Sequence, residues 1–228
     1  MNLPAWLYTF GADIVGFVLS VVLLAVYHLY LRQRVKRSPA YTVQAVNVMA
    51  RSAWVERIMK NEDGILAVQT LRNSTMAATF LASTAVLLII GVLTLSEQGD
   101  KLGSGWHSLN VIGATRPELW ITKLLMLMLD LFVAFFSFSM SIRVFNHVGY
   151  MINVPKAAGH KAISPRHVAV HLNRAGRFYS IGMRAYYFLV PLVFWLFGPH
   201  FMLLATVGLI FVLYKIDRAP KILEKDYA

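Results

Sequence analysis

The run from Ile65 to Leu95, ILAVQTLRNSTMAATFLASTAVLLIIGVLTL, restricts this chain more than any other part of it. A bilayer core of about 30 Å is crossed by ~20 residues of helix, so the run is too long and too apolar for a helix in a soluble core. Its first third nevertheless carries Gln69, Arg72 and Asn73. An arginine at membrane depth costs on the order of 2.5–3.5 kcal/mol on insertion scales unless it snorkels or meets other polar groups, and such residues usually face a bundle interior or a cavity. The remaining helices are therefore expected to supply that polar environment.

Composition points the same way. Mean hydropathy of +0.58, with 57% hydrophobic and 14% charged residues, lies outside the soluble class. Four apolar segments, about 5–31, 65–95, 119–152 and 183–215, leave no room in 228 residues for a separate soluble domain of the usual ~100 residues. The expected fold is all-α: a polytopic membrane bundle of four long transmembrane helices in one domain, 1–228, with short interfacial helices on the cytoplasmic side. Without cysteine, disulfides, iron–sulfur clusters and thiolate zinc sites are excluded, and any metal would need His and carboxylate ligands. The net charge of +11 sits beside apolar spans, where it suits anionic lipid headgroups and sets topology; nucleic acid is not expected as a partner. No basic stretch precedes the first apolar run and no Ala-x-Ala site follows it, so the first span is expected to remain in the mature protein.

Orientation follows from the basic residues. Arg32, Arg34, Lys36 and Arg37 follow the first span and nothing basic precedes it, which is expected to place the N-terminus outside and this loop in the cytoplasm. Val43, Val46, Ala50, Ala53 and Trp54 recur at three and four residues, predicting an amphipathic helix that either lies on the inner surface or packs on the bundle. In the second span Thr70, Ser74, Ala78 and Ala82 form a small-residue seam that lets another backbone approach. Beside it, Gln69, Arg72, Asn73, Met76, Phe80 and Ser83 form a stripe that is polar at its cytoplasmic end. Arg72 either lines a cleft there or snorkels to the interface. Ser96–Glu118 lacks a basic excess and is expected outside.

The third helix, Leu119–Ile152, carries Phe132, Phe136, Ser139, Arg143, Asn146, His147 and Tyr150 on one face at 100° per residue. Its gradient from phenylalanine to cation matches that of the second helix, predicting a shared site. Asp130, near mid-span on roughly the opposite side, reads either as a proton or ion site or as a hydrogen-bonding group to a neighbouring helix. Ser164-Pro165 caps a helix through His167 and His171, an i, i+4 pair without an accompanying carboxylate. The last apolar region, Ala185–Tyr214, is interrupted by Pro191 and Gly198-Pro199. It reads as a kinked fourth span or as a helical hairpin returning the basic tail. The 16 residues from Gly182 to Phe197 span only ~24 Å, which favours the kinked span.

Three runs in order, AVQTLRNSTMAATFLASTA, RVFNHVGYMIN and RAGRFYSIGMRAYYFLVPLVFWLFGP, resemble the family numbered 599 among domains of unknown function, integral membrane proteins of bacteria and plants. The resemblance extends from the first span through Tyr214. It implies a membrane protein and brings no catalytic or binding residues with it.

The residues themselves suggest a non-enzymatic transport or channel-like protein. Gln69, Arg72, Asn73, Arg143, Asn146, His147 and Arg184 would form a cationic vestibule for a small anion or lipid headgroup, since arginine forks and amides suit phosphate or carboxylate. Phe80, Phe132 and Phe136 would act as a hydrophobic constriction beyond it. Anionic membrane lipids are the expected partners, and four spans suggest a homo-oligomer or a subunit of a membrane complex. No cofactor is expected on this reading. An alternative makes His28 and His147, at similar depth, ligands of haem or another metal. A third makes the chain a structural or accessory subunit. No paired carboxylates, nucleophile–base set or glycine-rich phosphate loop suggests an enzyme.

Overall fold

The computed structural model of the chain describes residues 5–97, 117–154 and 163–220. Most of the loop expected outside, the middle of the second basic segment and the tail beyond 220 fall outside the described residues. These described residues form six helices: α1 (Ala5–Arg37), α2 (Val43–Asn61), α3 (Gly64–Glu97), α4 (Pro117–Ile152), α5 (Pro165–Phe197) and α6 (Pro199–Ile216). All except α2 are long and apolar enough to cross a membrane. The chain is thus a helical integral membrane protein, but with five such helices among the described residues and not four.

The difference lies in the last apolar region, which is a hairpin and not a kinked span. Gly198 has φ 142° and ψ 158°, which L side chains rarely adopt, and Pro199 opens α6 at a position where its missing N–H is harmless. From there α6 runs back along α5 and α1. Leu209 and Leu213 pack with Tyr27 and Leu31. Past the end of α6, the Ala219 N–H donates to the Tyr41 carbonyl (3.1 Å) and the Val43 N–H to the Asp217 carbonyl (3.1 Å), so the end of α6 joins the start of α2. Counting from Gly182 made the outward crossing look short. In fact α5 begins at Pro165, where the Ser164 Oγ accepts from the His167 N–H (3.3 Å), and runs for 33 residues.

Helices α4 and α5 form the most extensive packed pair, with α3 against α4, α6 against α5 and α1 against α6. The inward face of α4 includes Leu124, Leu127, Leu131, Ala134, Phe138, Ser141 and Val148, at helical spacing. It meets Ala78, Ala82 and Ala85 of α3 and Ala175 and Ala185 of α5, all buried. Small residues allow these backbones to approach: a Cβ at Gly182 would lie 2.7 Å from the Phe138 ring. Ala78 and Ala82 occupy the seam read from the sequence, whereas Thr70 is exposed. Leu87, Leu129 and Leu204 are 68, 60 and 74% exposed, part of an apolar exterior suited to acyl chains and not to water.

The capped helix α2 begins at Thr42, whose Oγ1 accepts from the Ala45 N–H (3.2 Å), and ends at Glu62 in the left-handed region. It packs on the bundle through Val55, Ile58 and Met59. Val43, Val46, Ala50 and Ala53 stay exposed, so the buried phase of this helix differs from the stripe expected. Among the 22 Lys and Arg residues, Lys101, Arg116 and Lys123 are the ones lying between the middle of α3 and the middle of α4. Of the rest, the described ones lie on α2 or toward the opposite helix ends, which we term the basic end, with Arg184 near the middle of α5; the α5–α6 turn marks the far end.

The hairpin makes a specific demand on accessibility. Cysteines introduced at Ser38 and Ala219 are expected to react with a membrane-impermeant reagent from the same side, and one at Ser104 from the opposite side. Reaction of the Ala219 position from the side of Ser104 would restore the single kinked span.

Candidate functional site

A cleft of about 890 Å³ opens between α2, α3, α5 and the end of α6. Gln44, Asn47, Arg51, Asn73, Ser74 and Ser180 give it polar surface, and Trp54, Leu71, Met183 and Tyr187 give it apolar surface. Arg51 is held from α5, since its Nε donates to Asn173 Oδ1 (2.9 Å). Asn173 is in turn fixed by donating to Ser52 Oγ (3.0 Å). The guanidinium lies against Gly176, where a Cβ would come within 2.7 Å of Arg51 Cζ. Its Nη2 is buried with no hydrogen-bond partner among the described residues, and burial pushes the group below its ordinary arginine value. A cation so placed is short of an acceptor.

Arg184 also lines the cleft, but its charge is met within the protein. Its Nη2 donates to both carboxylate oxygens of Asp217 (3.0 and 3.1 Å), and its Nη1 donates to His28 Nε2 (2.7 Å). A guanidinium only donates, so Nε2 of His28 is the acceptor and Nδ1 carries the hydrogen given to the Leu24 carbonyl (2.7 Å). The Tyr27 hydroxyl donates to Asp217 Oδ2 (2.8 Å). This cluster joins α1, α5 and α6. The sequence reading looked for the counter-charge of Arg184 in a ligand; the returning helix supplies it.

The other vestibule residues do not meet in one buried cluster. Arg72 and Asn146 share a separate groove between α3 and α4 with Thr75, Thr79 and Asn153. Gln69, Arg72, Asn73, Arg143, Asn146 and His147 are all exposed, and of these Asn73 reaches the cleft. Phe80, Phe132 and Phe136 are 68, 40 and 61% exposed on the outer surface, Phe132 stacking on Phe136, so they do not form a constriction. The physical reason is that the shared faces point outward, where large apolar side chains meet acyl chains and long polar ones reach the interface.

The proposed histidine pair is also separated. Both ring nitrogens of His28 are engaged as described, while the His147 ring stands edge-on to His171 at 6.2 Å, and His171 Nε2 lies 3.1 Å from His167 Nε2. His28 and His147 therefore belong to different clusters and do not form a ligand pair. Among the described residues, no group of three or more His, Cys, Asp or Glu is placed to hold a metal ion.

At the far end a second ion pair is more deeply buried. Lys123 Nζ lies 3.1 Å from Asp13 Oδ1, with side chains 4% and 1% exposed. Trp195 Nε1 donates to the same oxygen (2.9 Å), and the ammonium sits 5.4 Å from the Trp195 ring centroid. Lys123, Arg51 and Asp217 are the residues that sequence reasoning passed over. A lysine inside an apolar run and an aspartate in the first span were a legible pair; Arg51 and Asp217 gave no local signal, because their partners are contributed by distant helices.

The family described as "Protein of unknown function, DUF599" matches residues 15–222. No curated protein and no solved structure matches the chain.

The Asp13–Lys123 pair carries a stability expectation. Removing one partner of a buried pair costs about 3–5 kcal/mol because the other charge is stranded. Lys123→Ala is expected to lower the thermal unfolding midpoint in detergent markedly, and the double variant Asp13→Asn/Lys123→Met to recover part of the loss. An unchanged midpoint in Lys123→Ala would mean the pair contributes nothing to the fold.

Proposed function

Because this chain belongs to the DUF599 family of proteins of unknown function, we propose its role from its own geometry: it binds an anionic amphiphile, with the headgroup in the cleft between α2, α3 and α5. The observation that carries this reading is the buried, unpartnered Nη2 of Arg51 in an opening lined by both polar and apolar side chains. A phosphate or carboxylate oxygen would complete the guanidinium fork. The amides of Asn73 and Asn47 offer further donors around it, and Trp54, Leu71 and Met183 suit an acyl or other apolar portion.

The basic end is the cytoplasmic one on this reading, and the N-terminus is outside, because the Lys and Arg residues gather at that end. The same charge draws anionic lipid toward the cleft mouth. The role is non-enzymatic: the cleft offers groups that hold charge, and no nucleophile–base pair accompanies them.

Lipid retention on the purified protein tests the reading. A charge-assisted hydrogen bond contributes about 1.5–3 kcal/mol, or roughly 10- to 100-fold in affinity. Arg51→Gln is expected to lose phosphatidylglycerol binding, scored against phosphatidylcholine by native mass spectrometry, by at least about tenfold. Gly176→Ala keeps the charge but displaces the guanidinium and is expected to weaken binding as well. Arg143→Gln, on the exposed face, should leave it unchanged. Equal losses in all three would mean a diffuse surface attraction and no site.

A further inference from the structure

A second cavity, about 250 Å³, lies between α1, α4, α5 and α6, away from the amphiphile cleft. Its lining is almost wholly apolar, with Phe17, Leu24, Val133, Phe188 and Pro191 among it, yet Asp130 and Ser20 also face it. Asp130 Oδ2 and Ser20 Oγ are both buried and have no hydrogen-bond partner among the described residues, and Ser20 as a whole is 1% exposed. Serine and threonine in a helix ordinarily turn back to the carbonyl four residues earlier. Ser74, Thr79, Thr84 and Thr94 of α3 all do so. Ser20 makes no such bond, leaving its hydroxyl available at the cavity.

Neighbouring charges are committed elsewhere. On α1 and α4, Asp13 and Lys123 bind each other two turns nearer the far end, and on α1 and α5, His28 and Arg184 belong to the Asp217 cluster. On α6, His200 stands at the helix start and Asp217 just past its end, and neither lines the cavity. An ionised carboxylate in such surroundings has neither a counter-charge nor water in quantity. A dehydrated metal cation would need about six oxygens, whereas the side chains lining the cavity offer Asp130, Ser20 and Thr206, the last already donating to the Met202 carbonyl (2.8 Å). A proton needs one oxygen.

We propose that Asp130 is a reversible proton-binding site in the membrane-spanning core, with the Ser20 hydroxyl facing the same cavity. In the protonated state the carboxyl is neutral; on release the proton leaves to bulk, and the Ser20 hydroxyl, which is not bonded to Asp130 in the structure, is the polar group of the shared cavity free to turn toward the carboxylate. The site is independent of the amphiphile cleft and stands or falls without it.

Infrared spectroscopy of the full-length protein in phosphatidylcholine liposomes reads the proton directly. The wild-type protein is expected to show a carboxylic-acid C=O band at neutral pH that bleaches reversibly on alkalinisation, that shifts in frequency in Ser20→Ala, and that is missing in Asp130→Asn. Dicyclohexylcarbodiimide, which adds to protonated carboxyls in apolar surroundings, is expected to modify Asp130 in the wild type in a pH-dependent manner, as read by peptide mass spectrometry. Absence of the band in folded wild-type protein, its persistence in Asp130→Asn, or modification of Asp13 instead of Asp130 would overturn the proposal. The wild-type measurements keep it falsifiable even where a variant folds poorly.

Discussion

The pairing of Arg184 with Asp217 sets the arrangement of the whole basic end. The two residues are 33 positions apart on successive helices, and they meet only because Gly198 reverses the chain and α6 returns beside α5. That return lays Leu209 and Leu213 on Tyr27 and Leu31 of α1. It also brings the backbone after α6 onto the Tyr41–Val43 linker, where Thr42 caps α2. Arg51 stands on α2. The position of the cationic group in the cleft therefore depends on a turn at the opposite end of the molecule, through an ion pair and two backbone hydrogen bonds. With side chains 27% and 17% exposed, the pair is less screened than a surface ion pair, for which about 0–1 kcal/mol is usual.

Helix periodicity in the sequence grouped the right residues and assigned them the wrong direction. Phe132, Phe136, Arg143, Asn146, His147 and Tyr150 do share one face of α4, and that face is exposed. In water an apolar stripe reveals the core; in lipid both sides of a helix are apolar, and size discriminates instead. Ala67, Ala78, Ala82 and Ala85 of α3 and Ala134 and Ser141 of α4 mark the interior, a pattern that was legible at Ala78 and Ala82. Local signals served well where local physics decides: the Ser164-Pro165 helix start, the break at Gly198-Pro199 and the presence of α2 can all be read from a few residues. The direction of the chain after Gly198 could not, because a break fixes where a helix stops and leaves open where the next one goes.

The candidate site was legible only in part for the same reason. Asn73 and Arg184 reach the cleft as residues of it, but the group that lacks a partner is Arg51, in a helix whose low hydropathy directed attention to the surface. What singles it out is the set of contacts from α5, with Asn173 gripping one edge of the guanidinium and Gly176 leaving space for its plane. No periodicity encodes such a relation between two helices more than a hundred residues apart.

Helix α5 is also where the interior polar groups come together. In order along it, Asn173 holds Arg51, Ser180 donates to Gln44, Arg184 binds Asp217, Pro191 lines the Asp130 cavity and Trp195 donates to Asp13. Pro191 removes one backbone donor inside the helix and disturbs the carbonyl a turn earlier, which makes that point its softest joint. On one side of the joint lie the contacts that shape the cleft, and on the other lies the far-end ion pair. The cavity that holds Asp130 is lined by Pro191 and so lies where α5 lacks one of its own backbone hydrogen bonds, between the contacts of the cleft and the far-end ion pair.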